Sequence, residues 1–349
     1  MSKSRTAPSP AQGVYPAMAA VFLISLGLYA ASAAPEFLFD DNPEFIASAH
    51  VLGITHPPGY PLFSLIGKLC SFLAPAAVPF AVNLCAAFFG AAACALVCRI
   101  LWRMTGLRLL PAAAALLLAV SQSFWSQAAQ AEVYAPNIFF TALLLHFVLE
   151  LDHSRDARFI PAVALAGALA VINHYTAVLV LPVIAVYILV APVQWHATRP
   201  PDSWLKAQRV NTWFAAHPPQ HWASQDTPAG FLIHLQGVET LGDVQDAGLR
   251  EKLKFVNHYG ARAMDQAPWF WVVLLIPGLW ALVARRGQGA LLAALFAATS
   301  LGFLATLNYL YGPRTTYVVS FFYITSYLLL FLWAGLGLSD TAARGLGRA

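Results

Sequence analysis

The chain has 349 residues, of which 59% are hydrophobic and 10% are charged, and its mean hydropathy is +0.64. A soluble domain carries about 25% charged residues, so this composition excludes an ordinary soluble globule and indicates a polytopic helical membrane protein. The formal net charge of +4 is ascribed to arginines in cytoplasmic loops, because no basic stripe interleaved with aromatic residues suggests nucleic-acid binding.

The N-terminal part is predicted to be a polar, disordered tail (residues 1–16) followed by a first membrane helix (17–34). Two basic residues precede that helix, so the positive-inside rule places the tail in the cytoplasm and residues 35–77 outside. Within this 35–77 segment, residues 43–52 are expected to form a short surface helix, and residues 60–73 a helix too short to span. The apolar side of the short surface helix is predicted to carry Phe45, Ile46, Ala49 and Leu52.

The remainder of the chain predicts further spans, about eight to ten in all. The count is open because residues 159–193 are long for one span, short for two, and interrupted by Asn173, His174 and Tyr175. Residues 194–267 are expected to form a large outer loop, and 339–349 a cytoplasmic tail, because arginine clusters mark the cytoplasmic side of the membrane. The other hydrophobic segments are 78–101, 109–124, 134–151, 268–284, 290–310 and 317–338.

Several short motifs follow one another in a fixed order. They are Asp41-x-x-Glu44, His56-Pro57-Pro58-Gly59-Tyr60-Pro61-Leu62, Ala131-Glu132-Val133-Tyr134, Asn173-His174-x-Thr176 and Gly230-Phe231-Leu232-x-His234. In this order they resemble a bacterial polytopic membrane family of formerly unknown function, which is related to the protein O-mannosyltransferases of the endoplasmic reticulum. Pro43 departs from the pattern, since the family usually has glycine there.

The resemblance implies an all-α polytopic bundle of the type-C glycosyltransferase kind, with its active site on the periplasmic face of the bacterial inner membrane. Such an enzyme moves mannose or another hexose from a polyprenyl-phosphate donor to the hydroxyl of a protein, glycan or lipid. The expected partners are therefore that donor, membrane lipids and the acceptor, with no nucleic acid. No cofactor is assigned from the sequence, and a divalent cation held by acids and histidines stays open as an alternative.

The resemblance places the catalytic acid in the 35–77 segment. Transfer with inversion needs one base to take the proton of the acceptor hydroxyl, since a phosphate leaving group needs little protonation. Asp41 is the first candidate and Glu44 the second, with Asp40 as an adjacent rival to Asp41. Asp41 and Glu44 also fit a capping box, which would make Glu44 purely structural.

The other candidates are predicted to contact substrate. Arg314 suits the lipid phosphate, because a guanidinium offers two parallel donors, although a loop arginine touching headgroups is an equal alternative. Buried or interfacial polar residues in apolar surroundings need a partner or a cavity. This requirement supports a substrate contact for most of the remaining candidates. The full set is Asp40, His50, His56, Tyr60, Glu132, Tyr134, Asn173, His174, His234 and Arg314.

Two other classes of function remain open from the sequence. A transporter or lipid flippase would have broken helices with charges near the middle of the membrane, whereas here the ionisable residues cluster at the outer edge. A non-catalytic protein that binds a polyprenyl lipid would keep the same fold without the base. No glycine-rich nucleotide-binding fingerprint is found in the sequence, which favours a membrane-embedded donor over a nucleotide sugar.

Overall fold

The computed structural model describes residues 13–56, 59–190, 248–266, 273–306 and 311–345. Within these ranges every regular element is helical, and no strand occurs. The helices are α1 (Tyr15–Ser32), α2 (Asn42–Val51), α3 (Pro61–Ser71), α4 (Val78–Thr105), α5 (Leu109–Ala119), α6 (Gln122–Ala128), α7 (Tyr134–Ser154), α8 (Ile160–Asn173), α9 (Leu181–Val190), α10 (Leu249–Met264), α11 (Leu275–Ala284), α12 (Arg286–Ala297), α13 (Phe303–Thr306), α14 (Pro313–Phe322) and α15 (Ile324–Gly345).

The predicted all-α polytopic bundle is confirmed. Among the described residues, five helices are long and apolar enough to cross a membrane, counting α12, α13 and the π-helical turn between them as one. A sixth is reached if α5 and α6, which are bent by 73° at their junction, form one broken span. This total is below the eight to ten spans expected from the sequence, because several predicted segments are shorter apolar helices.

The longest helix, α4, lies at the centre of the bundle and packs against α1, α5 and α7. Its buried face is rich in alanine and cysteine, small side chains that let neighbouring helices approach closely. Helix α1 lies outside it and buries only one stripe, Val21, Ser25 and Tyr29. The Tyr29 hydroxyl donates a hydrogen bond to the carbonyl oxygen of Ala119 at 2.9 Å, which fastens α1 to α5.

Helices α11 and α15 cross at a contact made by glycines. A Cβ atom on Gly278 would overlap the carbonyl oxygen of Trp333, and one on Gly337 would overlap that of Leu274. The two backbones therefore approach more closely than any larger residue would allow, as small residues permit at membrane helix interfaces.

Ion pairs gather at one end of the bundle, near the C-terminus of α7. Arg99 and Glu150 lie 2.7 Å apart, and Arg285 binds Asp340 through two bonds of 2.8 and 2.9 Å. The 21 residues of α7 span about 30 Å, so this end is separated from Tyr134 by roughly a bilayer thickness.

Two predicted boundaries differ from the structure. Residues 317–338 were expected to form one helix, but α14 and α15 meet there at Tyr323, whose buried ring packs against Phe255 of α10. Of the large loop predicted at 194–267, residues 248–266 are described, and they form α10 with a short flank at each end.

Candidate active site

The 35–77 segment folds into two short helices, α2 and α3, that pack on each other and on α4. Phe45, Ile46 and Ala49 are buried, as their helical spacing predicts. Leu52 was wrongly placed on that side: it ends α2 in a left-handed conformation (φ 54°) and is 54% exposed. The chain then turns back, so that residues 53–56 run alongside α2.

This return brings His56 against two acids of α2. The Nδ1 atom of His56 donates to Glu44 Oε2 at 2.9 Å, and its backbone N–H donates to Glu44 Oε1 at 2.5 Å. The Nε2 atom faces Asp41 Oδ2 at 3.8 Å. Asp41 stands at the N-cap of α2, yet its side chain accepts no capping hydrogen bond. The capping-box interpretation of Glu44 is therefore wrong, because its carboxylate holds His56 instead.

The three groups shift one another's proton affinity. Burial raises the pKa of Asp41. The charge of His56 lowers it, but the charges of Asp40 and Glu44 add to the rise, so the pKa stays above its ordinary value. Burial alone would raise the pKa of Glu44, but the bonds and charge of His56 hold it below the ordinary value. For His56, burial would lower the pKa, yet Glu44 and Asp41 raise it overall. Asp41 is thus the stronger base of the two carboxylates.

A buried asparagine of α4, which the sequence analysis did not single out, holds this segment in place. Asn83 Oδ1 accepts hydrogen bonds from Asn42 Nδ2 at 2.9 Å and from the Ala131 N–H at 2.7 Å. Its Nδ2 donates to the Ala34 carbonyl at 2.8 Å. Asn42 follows Asp41 and Ala131 precedes Glu132, so one amide fixes both acidic segments. The signal that could have identified Asn83 from the sequence is a single asparagine within an apolar span.

Glu132 is the buried member of the acidic group, with a side chain only 4% exposed. One oxygen accepts from the Val133 N–H, whereas Oε2 accepts no hydrogen bond from the residues that the structure describes. Burial raises the pKa of Glu132 well above its ordinary value, and the charges of Asp41 and Asp40 add to the rise. This carboxyl therefore lies within electrostatic range of the 35–77 segment.

Aromatic rings connect the acids to the break between α8 and α9. Tyr60 lies edge-on to His56 at 5.4 Å and stacks on His174 at 5.6 Å, while Tyr134 packs on His174 at 5.3 Å. The predicted interruption of the apolar run is confirmed: Asn173 ends α8, and its Nδ2 donates to the Val133 carbonyl at 3.0 Å. The structure thus brings together predicted candidates from three separate parts of the chain.

A second missed residue approaches Asp40 from the far end of the sequence. The Tyr317 hydroxyl of α14 donates a hydrogen bond to Asp40 Oδ2, and this bond raises the pKa of Tyr317 to about 12. Asp40 itself is held in a left-handed conformation (φ 69°). The two residues are 277 positions apart, and no sequence pattern links them.

Three other candidates stand apart from this group or lie outside the description. His50 is exposed at the end of α2, where its backbone carbonyl accepts from Lys68 Nζ at 2.5 Å. The structure describes the backbone of Arg314 in the first turn of α14 but not its side chain, and His234 lies outside the described residues. Their roles stay predictions.

Replacing Asn83 by leucine is expected to destabilise the protein strongly. The substitution leaves the Asn42 amide and the Ala131 N–H buried without an acceptor, at a cost of roughly 1–3 kcal/mol for each stranded group. Asn83→Asp keeps an acceptor oxygen and should destabilise less. Thermal unfolding in detergent, followed by circular dichroism, measures both variants; an unchanged melting temperature for Asn83→Leu would contradict the bridging role.

Comparison with known proteins connects this site to one family. Residues 41–197 match the model of the protein O-mannosyl-transferase TMEM260 N-terminal domain, a range that includes Asp41, Glu44, His56 and Glu132. The mouse protein O-mannosyl-transferase TMEM260 is 33% identical over 193 residues, covering 52% of this chain and 28% of the mouse protein.

A more distant relative carries the same name. The Dictyostelium discoideum protein O-mannosyl-transferase tmem260 is 26% identical over 128 residues, covering 36% of this chain and 16% of that protein. The aligned regions therefore amount to less than a third of the length of either relative. Because residues 41–197 match the family model and the aligned region is shared, the chain is related to the TMEM260 protein O-mannosyl-transferases.

Proposed function

We propose that this chain is a type-C membrane glycosyltransferase. It moves mannose or another hexose from a polyprenyl-phosphate donor to an acceptor hydroxyl, on the outer face of a bacterial inner membrane. The observation that carries the proposal is the gathering of Asp41, Glu44, His56 and Glu132 at one end of a helical bundle. Relatives named protein O-mannosyl-transferases support the class of reaction.

In the proposed reaction, Asp41 accepts the proton of the acceptor hydroxyl as its oxygen bonds to the anomeric carbon. The bond between that carbon and the phosphate oxygen breaks, and polyprenyl phosphate leaves with the electron pair. Half of the Asp41 side chain is exposed, so an acceptor can reach it, while partial burial improves it as a base. Glu44 and His56 hold its surroundings rigid, which preorganises the site.

The distribution of charge supports the proposed orientation. The arginines near the C-terminus of α7, among them Arg99, Arg103 and Arg155, lie at the end of the bundle opposite Tyr134. By the positive-inside rule this arginine-rich end is cytoplasmic, and the acids then face the outside. A donor phosphate would lie near the N-terminus of α14, which carries Arg314 and is joined to Asp40 through Tyr317.

The break between α8 and α9 favours surface chemistry over transport. His174 packs on Tyr134, the first residue of α7, so the break lies at the same end of the bundle as the acids. A transporter places its broken helices and charges near the middle of the membrane instead.

Sugar transfer by the purified full chain in nanodiscs tests the proposal. Labelled polyprenyl-phosphate mannose or glucose is supplied with extracted periplasmic proteins and glycans, and the Asp41→Asn variant serves as the inactive comparison. Label on an acceptor, with wild type alone, is the expected result. Movement of the donor between leaflets without sugar transfer would overturn the proposed transferase in favour of a flippase. Donor binding without transfer and without movement between leaflets would favour a lipid-binding protein.

A further inference from the structure

The acids and the histidine of the 35–77 segment also have the chemistry of a cation site. Asp41, Glu44 and His56 each offer one ligand atom, and these atoms lie within 4.8 Å of one another. Two ligands of one small divalent cation, at bonds of about 2.0–2.3 Å, are separated by roughly 3–4.5 Å. The 3.8 Å between His56 Nε2 and Asp41 Oδ2 falls in that range. Glu44 completes the set by exchanging its hydrogen bond with His56 Nδ1 for the cation.

Glu132 is a second and independent sign of a positively charged ligand. It is more than nine-tenths buried, and its Oε2 atom accepts no hydrogen bond from the described residues. A buried carboxylate oxygen without a donor is costly unless something else satisfies it. The hydrogen bonds of Asn83 to Asn42 and Ala131 tie the Glu132 segment to the Asp41 segment, and the charges of Asp41 and Glu44 act on the Glu132 carboxyl.

The described side chains around these acids supply little positive charge. Asp40, Asp41, Glu44 and Glu132 act on one another electrostatically, and His56 is the basic group that the described ion pairs bring to them. Asp40, Asp41 and Glu44 around one imidazole leave an excess of negative charge, which a divalent cation would neutralise.

We propose that Asp41, Glu44 and His56 bind one divalent cation, with Glu132 as the supporting carboxylate behind them. Two carboxylate oxygens and one imidazole nitrogen suit Mn²⁺, Fe²⁺ or Zn²⁺ better than Ca²⁺, which prefers oxygen ligands alone. Three protein ligands leave coordination positions open to a substrate. The open coordination positions receive the phosphate oxygens of the donor, a role that rests on the proposed function. The second oxygen of Asp41 stays available to the acceptor hydroxyl.

Mn²⁺ binding without any substrate tests the site. Metal-stripped protein is titrated with Mn²⁺, and the loss of the free-ion electron paramagnetic resonance signal reports binding. Wild type should bind one ion per chain. His56→Gln and Glu44→Gln should weaken binding by at least about tenfold, and Glu132→Gln by about 10- to 100-fold, as loss of a supporting group does elsewhere.

The matched control is Glu36→Gln, which removes an exposed carboxylate of the same segment and should bind Mn²⁺ as wild type does. Unfolding curves of all variants show that they are folded. Binding by His56→Gln and Glu44→Gln equal to wild type would overturn the site, as would no binding by wild type at millimolar Mn²⁺.

The outcome separates the site from the proposed function. Mn²⁺ binding at the trio in a protein that transfers no sugar from any donor would keep the cation site and overturn the transferase. Transfer that continues in EDTA, by a chain that binds no Mn²⁺, would overturn the cation site and keep the transferase.

Discussion

Asp41→Asn is expected to lower sugar transfer by about 10²–10⁴-fold, the usual contribution of a general base. Asparagine has nearly the shape of aspartate and keeps its contacts, but it cannot accept the proton of the acceptor hydroxyl. The variant should still bind the donor, because Glu44 and His56 remain in place. Initial rates of transfer, together with donor affinity measured separately, distinguish this loss from misfolding.

Three further variants locate the base among the neighbouring acids. Glu36→Gln removes an exposed carboxylate of the same segment and should transfer sugar as wild type does. Asp40→Asn loses the partner of Tyr317 and should cause a smaller loss than Asp41→Asn. If Asp41→Asn transfers as fast as wild type while Asp40→Asn or Glu44→Gln does not, the base is that other residue.

Gly278→Ala is expected to be among the most destabilising single substitutions in the described structure. The added methyl group would overlap the carbonyl oxygen of Trp333, which is backbone and cannot rotate away. Helices α11 and α15 would have to separate, and overpacking of this kind typically costs about 1–3 kcal/mol, occasionally more. Gly337→Ala, on the facing side of the same contact, should behave alike.

Gly27→Ala provides the matched control. Gly27 lies on the exposed side of α1, where an added Cβ atom meets nothing within 4 Å. Alanine is the better helix former by about 1 kcal/mol, so this variant should not lose stability. The fraction of protein that stays monodisperse on size-exclusion chromatography after heating measures all three. Equal heat resistance of Gly278→Ala and wild type would show that the helices do not meet as closely as described.

The local features of the site could be predicted from the sequence because their causes are local. The helical spacing of Phe45, Ile46 and Ala49 predicts the buried side of α2, and the polar residues around His174 predict a break in an apolar run. The proximity of Asp41 and His56 depends instead on the left-handed end of α2 at Leu52, which turns the chain back toward Asp41.

The long-range contacts could not be predicted in the same way. Asn83 bridges two segments through hydrogen bonds, and a single polar residue in an apolar helix signals that a partner exists without naming it. Tyr317 of α14 meets Asp40 across 277 positions of sequence, a separation at which no local pattern relates two residues. The shape of a span is hidden for a related reason: hydropathy detects apolar runs, but not the 73° bend between α5 and α6.

The single buried stripe of α1 has a consequence for how this helix can change over evolutionary time. Val21, Ser25 and Tyr29 are four residues apart, and they alone among the residues of α1 are buried. At the exposed positions, such as Leu23 and Ile24, lipid requires only that the side chain be apolar, so leucine, isoleucine, phenylalanine and valine are interchangeable there. An alignment of relatives should therefore show constancy at every fourth position of α1 and free exchange among apolar residues at the exposed positions. A search that scores overall identity will undervalue this helix, even where its packing is unchanged.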